Sequence, residues 1–323
     1  MSRTIAVADI GGTHARFALA EVADGRVVSL GEPVTLKTAE HASFQMAWQE
    51  FARVAGIDLP DALGMAFAGP VGGEILKLTN NPWVIRPFLM KDRLGVEQYK
   101  IVNDFGAVAH AVAQFDAAHF DHLCGPEGPM PATGVTSVIG PGTGLGVAQL
   151  LKTATGYHVI ETEGGHIDFA PLDALEDQVL AFLRRSFRRV SVERIVAGSG
   201  LVNLYNAIAS IEGRAVPHPD DKAIWAAALE GSDPLAIAAL DRFFLSLGAV
   251  AGDLALAHGS NAVVIAGGLG YRLKDRFATS GFADRYIAKG RFERRMEGIT
   301  VKLLNHPQPG LYGAAAAFAQ EFA

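Results

Sequence analysis

A strand, a glycine turn and a second strand occur twice in this chain, and each time a small turn and a third strand follow. Residues 7–20 read VADIGGTHARFALA and residues 138–151 read VIGPGTGLGVAQLL. Gly12 stands to Gly142 as Thr13 stands to Thr143, at one common offset, and the small turn at 23–25 has its counterpart at 155–156. Apolar runs flanking glycines predict strands joined as hairpins. The strands are expected over 4–8, 14–20 and 26–30, and again over 135–139, 147–152 and 157–161. A repeat of about a domain's length implies two similar α/β halves. At 323 residues the chain is also longer than one hydrophobic core normally serves.

Between and beyond the repeats the pattern predicts a helix over 43–54, stopped by Gly56, short buried strands over 63–68 and 100–102, and a helix over 105–115. The second half is mostly helical, with helices expected over 172–187, 201–210, 222–229 and 234–258. A strand over 262–266 runs into the glycine-rich GGLG, another covers 299–304, and a last helix over 311–322 carries small residues on its packing side. The expected domains are a small one over 1–114 and a large one over 115–304, with the C-terminal helix, about 305–323, packing back on the small one.

Composition narrows the class. Half of the residues are hydrophobic and 19% are charged, as suits a compact soluble protein. A net charge of −6 argues against a nucleic-acid or acidic-membrane partner, since either needs a basic face. The basic run RRSFRR (184–189) falls in a helical pattern with Leu180, Leu183 and Phe187 inward, and reads as a solvated helix face. One cysteine, Cys124, excludes an intramolecular disulfide and a multi-cysteine zinc site. The opening MSRTIAVADIGG reads as a strand rather than a signal peptide, and the alanine-rich stretches near 245–257 and 313–319 are shorter than a membrane span or carry charge. The expectation is a cytoplasmic protein with no membrane partner.

Glycine turns let backbone N–H groups approach an anion closely, and phosphate is the usual ligand. Neither the GxxxxGK[ST] loop nor a GxGxxG fingerprint is present. A single such turn can be no more than a tight hairpin. Two matched turns, each with a threonine beside its glycines, suit a polyphosphate held between two similar domains. Asp9 precedes the first turn, where a carboxylate repels phosphate unless a cation intervenes; Mg²⁺ bound through water resolves this, and a turn-forming role is the alternative.

The motifs VADIGGTHARFALA, TNNPW (79–83), IVNDFGAVAHA (101–111), GPGTGLGVA (140–148), ETEGGHIDFAP (161–171), SVERIVAGSGLVNLY (191–205) and VIAGGLG (264–270) occur in this order. Together they resemble the bacterial glucokinase family, within the group sharing the hexokinase, actin and heat-shock chaperone ATPase fold. The resemblance covers essentially the whole chain. It implies a two-domain actin-like (ribonuclease H-like) α/β fold with duplicated hairpin phosphate turns and a cleft between the domains. It also implies ATP and Mg²⁺ as cofactors, glucose or a related hexose as substrate, and a homodimer. Two positions depart from the family: His14 stands where many members carry Asn, and Ser199 where Pro is common.

Asn103 and Asp104 follow a strand and precede a helix, the junction where α/β domains bind ligands. Taken alone, Asp104 reads first as the helix N-cap. The resemblance makes it the general base for the sugar's 6-hydroxyl, and makes Asn103, Asp104, Glu163, His166 and Glu193 the residues that bond the sugar hydroxyls. The glycines of EGGH suggest a backbone crowding close to a ligand. His166 alone reads as a metal ligand or a core histidine, but no second histidine sits at helical spacing for zinc. Glu193 alone fits a helix first turn equally well. Asn81 and the Gly69–Pro70 turn are expected as a wall of the sugar site. Gly11, Gly12 and Thr13, with Gly142, Thr143 and Gly144, are the expected phosphate contacts. Gly267, Gly268 and Gly270 resemble an adenosine-side turn, with a plain strand-to-helix turn as the alternative.

Two other classes fit less well. Sugar repressors of the related kinase–repressor group carry a helix-turn-helix before the first phosphate turn and a cysteine-rich zinc motif, neither of which is expected here. A chaperone- or actin-like ATPase has no use for EGGH or for Asn103 beside Asp104.

Overall fold

The computed structural model describes residues 2–78, 81–216 and 220–322. Thr79 and Asn80 of TNNPW therefore lie outside the described residues, while Asn81 lies inside them. The chain divides into two compact units: Met1–Asp116, Val159–Glu161 and His306–Ala323 form one, and Ala117–His158 and Thr162–Asn305 the other.

The first unit holds β1 (Arg3–Ile10), β2 (His14–Ala23), β3 (Arg26–Leu30), β4 (Val34–Lys37), α1 (Phe44–Ala55), β5 (Ala62–Phe67), the short pair β6 (Leu76–Lys77) and β7 (Val84–Ile85), α2 (Met90–Leu94), β8 (Gln98–Asn103) and α3 (Asp104–Gln114). Its sheet runs β3-β2-β1-β5-β8, with β4 beside β2. β1 is antiparallel to β2 and parallel to β5, which is parallel to β8. Alternate residues of β1 feed opposite faces. Ala6, Ala8 and Ile10 join Phe17, Trp48 and Phe51 against α1, whereas Ile5 and Val7 join Ala107, Leu311 and Phe318 under α3 and the C-terminal helix, Pro309–Glu321.

That helix docks through its small residues. A Cβ built on Gly313 would lie 1.7 Å from the Ala107 carbonyl oxygen, so the two helix backbones are closer than any side chain permits. Buried in the same layer, His110 of α3 is 8% exposed, and burial, with Lys100 second, holds its pKa down at about 4.

The second unit repeats the arrangement. It holds β9 (Phe120–Cys124), β10 (Gly134–Pro141), β11 (Leu145–Thr153), β12 (Gly156–Thr162, whose residues 159–161 belong to the first unit), α4 (Ala174–Leu183), α5 (Gly198–Ile211), α6 (Asp221–Glu230), α7 (Pro234–His258), β13 (Ala262–Ile265), α8 (Gly267–Arg272), α9 (Phe282–Ile287), α10 (Glu293–Glu297) and β14 (Thr300–Leu304). Its sheet runs β12-β11-β10-β13-β14-β9. Apart from the edge strand β9, this is the order of the first sheet, with an antiparallel β10–β11 hairpin leading into parallel β13 and β14. The repeat in the sequence is thus a repeat in topology.

Three expectations change. The helix expected over 172–187 starts at Ala174, because Asp173 caps it through the Glu176 amide, and ends at Leu183. RRSFRR therefore lies beyond the helix and forms no helix face; Arg185 stacks over Phe182 and Arg189 pairs with Asp168. The alanine-rich stretch near 245–257 belongs to α7, whose 25 residues are long and apolar enough to cross a membrane, yet most of them are buried in the unit's core beside α5, α6 and α9.

Two measurements test the packing of the first unit. Gly313→Ala should lower its stability by at least about 2 kcal/mol in denaturant titration, because the neighbour it strikes is backbone. The unfolded chain binds a proton at His110 below about pH 6.5, whereas the folded chain resists until about pH 4. This contribution, on the order of 3 kcal/mol, is complete above the upper value and drains away as pH falls toward the lower. Unfolding followed between pH 7 and 4 should show a shallower loss in His110→Gln than in the parent.

Candidate functional site

In the first unit, parallel strands β1, β5 and β8 end together at Ile10, Phe67 and Asn103, and the glycine turn, Gly69 and α3 follow from these carboxyl ends. The turn closes with the Gly11 amide donating to the His14 carbonyl at 3.0 Å, leaving Thr13 exposed at its tip. Two side chains reach the turn from behind: Thr38 Oγ1 donates to the Gly12 carbonyl at 2.7 Å and Asn81 Nδ2 to the same oxygen at 3.3 Å. Asn81 Oδ1 accepts from the Trp83 amide at 2.8 Å, which fixes the loop that carries it.

Asp9 lies beneath this turn, with its side chain 22% exposed and Arg16 Nη1 3.5 Å from Oδ2. Burial raises its pKa, and Arg16 opposes that only in part. A Cβ on Gly310 would stand 2.8 Å from Asp9 Oδ2, so the carboxylate faces the first turn of the C-terminal helix, the end that favours negative charge.

The helix-cap alternative for Asp104 falls to its neighbour. Asn103 Oδ1 accepts from the Phe105 amide at 2.9 Å and the Gly106 amide at 3.2 Å, and Asp104 is the first helical residue. Asn103 Nδ2 donates to the Gly69 carbonyl at 3.2 Å, which uses one of its two N–H bonds. Behind both residues stands Glu161, whose Oε1 accepts from the Asn103 amide at 2.6 Å. Burial raises the Glu161 pKa, against that hydrogen bond and Lys100.

In the second unit, Glu163, His166 and Glu193 gather around the start of β11. Glu193 Oε2 accepts from the Leu145 amide at 2.9 Å, directly after the second glycine turn. On the other side of that residue, a Cβ on Gly165 would lie 2.0 Å from the Leu145 carbonyl oxygen. The glycines of EGGH therefore let a 3-10 turn sit hard against a strand, rather than against a ligand as the sequence suggested. This seating turns Glu163 and His166 outward, 65% and 57% exposed, with His166 Nε2 3.9 Å from Glu163 Oε2.

The second glycine turn closes with the Gly142 amide donating to Gly144 O at 2.8 Å, and Thr143 at its tip is exposed. The Gly142 carbonyl accepts from the Gly198 amide at 2.8 Å, where α5 begins. Gly267, at φ +83°, starts α8 so close to β10 that a Cβ built on it would stand 3.0 Å from Pro141 O, and Gly268 beside it faces open space. Gly270 packs inward on Ile265, so its role is a strand-to-helix contact and not a ligand surface.

Helix ends mark the same places. Ser43, Asn103, Asp173, Asp220 and Asp233 cap α1, α3, α4, α6 and α7 through side chains. Among the described long helices, α5 and the C-terminal helix have no side-chain cap: α5 starts against the second glycine turn, with the Gly198 amide on Gly142 O, and the first turn of the C-terminal helix faces Asp9. An uncapped helix start beside a glycine turn is suited to an anion.

The family model for glucokinase matches residues 6–321. The chain belongs to the glucokinase family. It is 60% identical over 318 residues to the glucokinase of Zymomonas mobilis, covering 98% of each chain. Among solved structures, a glucokinase from an Antarctic psychrotroph matches at a TM-score of 0.85 with 33% identity, again covering 98% of both chains. A ROK family glucokinase from Streptomyces griseus, in complex with glucose and AMPPNP, shares the fold at a TM-score of 0.62 and 22% identity, covering 97% of this chain and 98% of that one. The two sheets of this family member have the actin-like ATPase topology that the resemblance implied.

Reading the sequence alone missed Glu161 and Thr38, because both act on backbone groups far away in the chain. The acid pair of ETE was a signal for Glu161, since Glu161 and Glu163 stand two residues apart and only one was assigned. Glu161→Gln should keep the fold and lower kcat/KM for sugar about tenfold, since a charge-assisted bond to the Asn103 amide becomes a neutral one. Initial rates at varied sugar concentration check this.

Proposed function

We propose that this glucokinase-family chain transfers the γ-phosphoryl group of ATP to the 6-hydroxyl of glucose, with Asp104 as general base. The observation that carries this reading is the position of Asp104: it stands at the carboxyl end of β8, with its neighbour Asn103 supplying the helix cap. The relative that is 60% identical over nearly the full length, itself a glucokinase, supports the same activity.

In this reading each unit supplies one part of the chemistry. Asp104 takes the proton from the sugar's 6-hydroxyl as that oxygen bonds to the γ-phosphorus, and the bond from phosphorus to the β-phosphate bridging oxygen breaks to release ADP. Asn103, Glu163, His166 and Glu193 pair with the remaining hydroxyls, each of which both donates and accepts. Asn81 supports the sugar side through its loop. Backbone amides at Gly11, Gly12 and Thr13, and at Gly142, Thr143 and Gly144, hold the phosphates, while Gly267 and Gly268 give the adenosine a backbone surface. Phosphoryl transfer of this loose kind depends mostly on positioning and on charge neutralisation.

The residues present fit a hydrated magnesium ion. Asp9 is a single, partly exposed carboxylate beside the first turn, and among the described residues no group of three or more acidic, histidine or cysteine side chains forms a protein cage. Mg²⁺ commonly keeps its waters and takes one or two carboxylates together with substrate phosphates. Asp9 would hold it through water, and the ion would neutralise charge on the phosphates.

Asp104→Asn should retain sugar binding and lose at least about 100-fold in kcat, which a coupled assay of glucose 6-phosphate formation and a separate sugar-binding titration would show. Turnover within a few-fold of the parent would remove Asp104 from the mechanism.

A further inference from the structure

The central peptide of a tight turn can rotate, and rotation exchanges the faces taken by its carbonyl and by the amide that follows. In the first glycine turn this peptide joins Gly12 to Thr13. A trans peptide points its C=O and N–H in opposite directions. Whatever holds the Gly12 carbonyl therefore also aims the Thr13 amide.

Two donors hold it. Thr38, 1% exposed, gives its hydroxyl to Gly12 O at 2.7 Å, and its own amide donates to Thr13 O at 3.1 Å. Asn81 adds the longer bond at 3.3 Å from a separate loop. The two supports are joined to each other, since Trp83 Nε1, two residues beyond Asn81, donates to the His41 carbonyl at 2.8 Å, three residues beyond Thr38. In the second unit the carbonyl of Gly142, which matches Gly12 in the sequence repeat, is also held, by unrelated parts and in a turn one residue shorter: it accepts from the Gly198 amide at 2.8 Å. Holding this one carbonyl from behind, by different means in the two halves, is a feature that hairpin closure alone does not require.

We propose that Thr38 is a positioning residue for the phosphoryl donor: by holding the Gly12 carbonyl it fixes the turn in the rotation that presents the Thr13 amide to a phosphate oxygen of ATP. This rests on the reading of the glycine turns as phosphate contacts. Thr38 touches no substrate itself. Asn81 contributes the weaker half of the same support, which links the loop on the sugar side to the donor side within the first unit.

The test compares Thr38→Val, which keeps the shape and removes the hydroxyl, with Thr38→Ser, which keeps the hydroxyl, and with Gly12→Val at the turn itself. Thr38→Val should raise KM for ATP about fivefold or more, leave KM for glucose within twofold, and be restored by Thr38→Ser. Thr38→Ala serves in its place if the valine variant does not accumulate as folded protein. Equal rises in both KM values, or no rescue by serine, mean a merely structural role and overturn the proposal. If Gly12→Val raises KM for ATP while the hydroxyl-free variants leave it unchanged, the positioning role falls and the phosphate reading stands. If neither moves KM for ATP, the phosphate reading falls and takes the proposal with it.

Discussion

A backbone that binds an anion through its amides has to settle its carbonyls elsewhere, because a peptide unit carries both and buried polar groups are rarely left without partners. On the proposed reading of the glycine turns as phosphate contacts, this chain is arranged around that constraint. Thr38 and Asn81 take the Gly12 carbonyl and Gly198 takes that of Gly142. Leu145, just past the second turn, gives its amide to Glu193. Among the described helices of ten residues or more, five are closed by serine, asparagine or aspartate, whereas α5, which starts against Gly142, and the C-terminal helix, whose first turn faces Asp9, start without a side-chain cap. Replacing such a cap by alanine commonly costs about 1 kcal/mol, so leaving two starts open is a local sacrifice that a bound anion can offset.

The same economy of space decides where glycine is used. Gly313 lets the C-terminal helix rest on α3, and this docking sets the first turn of that helix against Asp9. Gly165 lets the EGGH turn rest on β11, and this docking turns Glu163 and His166 outward. In both places the glycine acts through packing: Gly165 seats the turn that carries Glu163 and His166, and Gly313 lies three residues beyond Gly310, which faces Asp9.

The doubled hairpins were legible because alternating apolar residues around glycine depend on nothing beyond local periodicity. The long helices were legible for the same reason. Two shorter strands were not: β4 spans four residues, and β9 reads FDHLC, with Asp121 and His122 exposed and too few apolar positions to set a period. The helical run ending in RRSFRR was overextended because arginine has good helix propensity, yet the helix stops at Leu183. At the site, the family resemblance pointed to Asn103, Asp104, Glu163, His166 and Glu193, but not to which of Asn103 and Asp104 caps the helix. That choice depends on where Oδ1 of Asn103 lies relative to two amides, a matter of backbone geometry. The partners of Glu161 and Thr38 were hidden for a stronger reason, since they are the Asn103 amide and the Gly12 carbonyl, far off in the chain.

Asp9 shows what such a site costs the fold. Its carboxyl is partly buried, its one arginine neighbour stands at 3.5 Å, and burial outweighs that neighbour in setting its pKa. A well-formed bidentate pair with Arg16 would favour the folded chain more, but it would cover the oxygens with a fixed guanidinium and leave no place for a hydrated cation. An asparagine would remove the burial penalty and the charge together. Keeping a carboxylate there, under-neutralised and beside an amide-lined turn, conflicts locally with stability. Conflicts of this kind concentrate where a site must accept a charged ligand, because a group already satisfied within the fold has little left to offer.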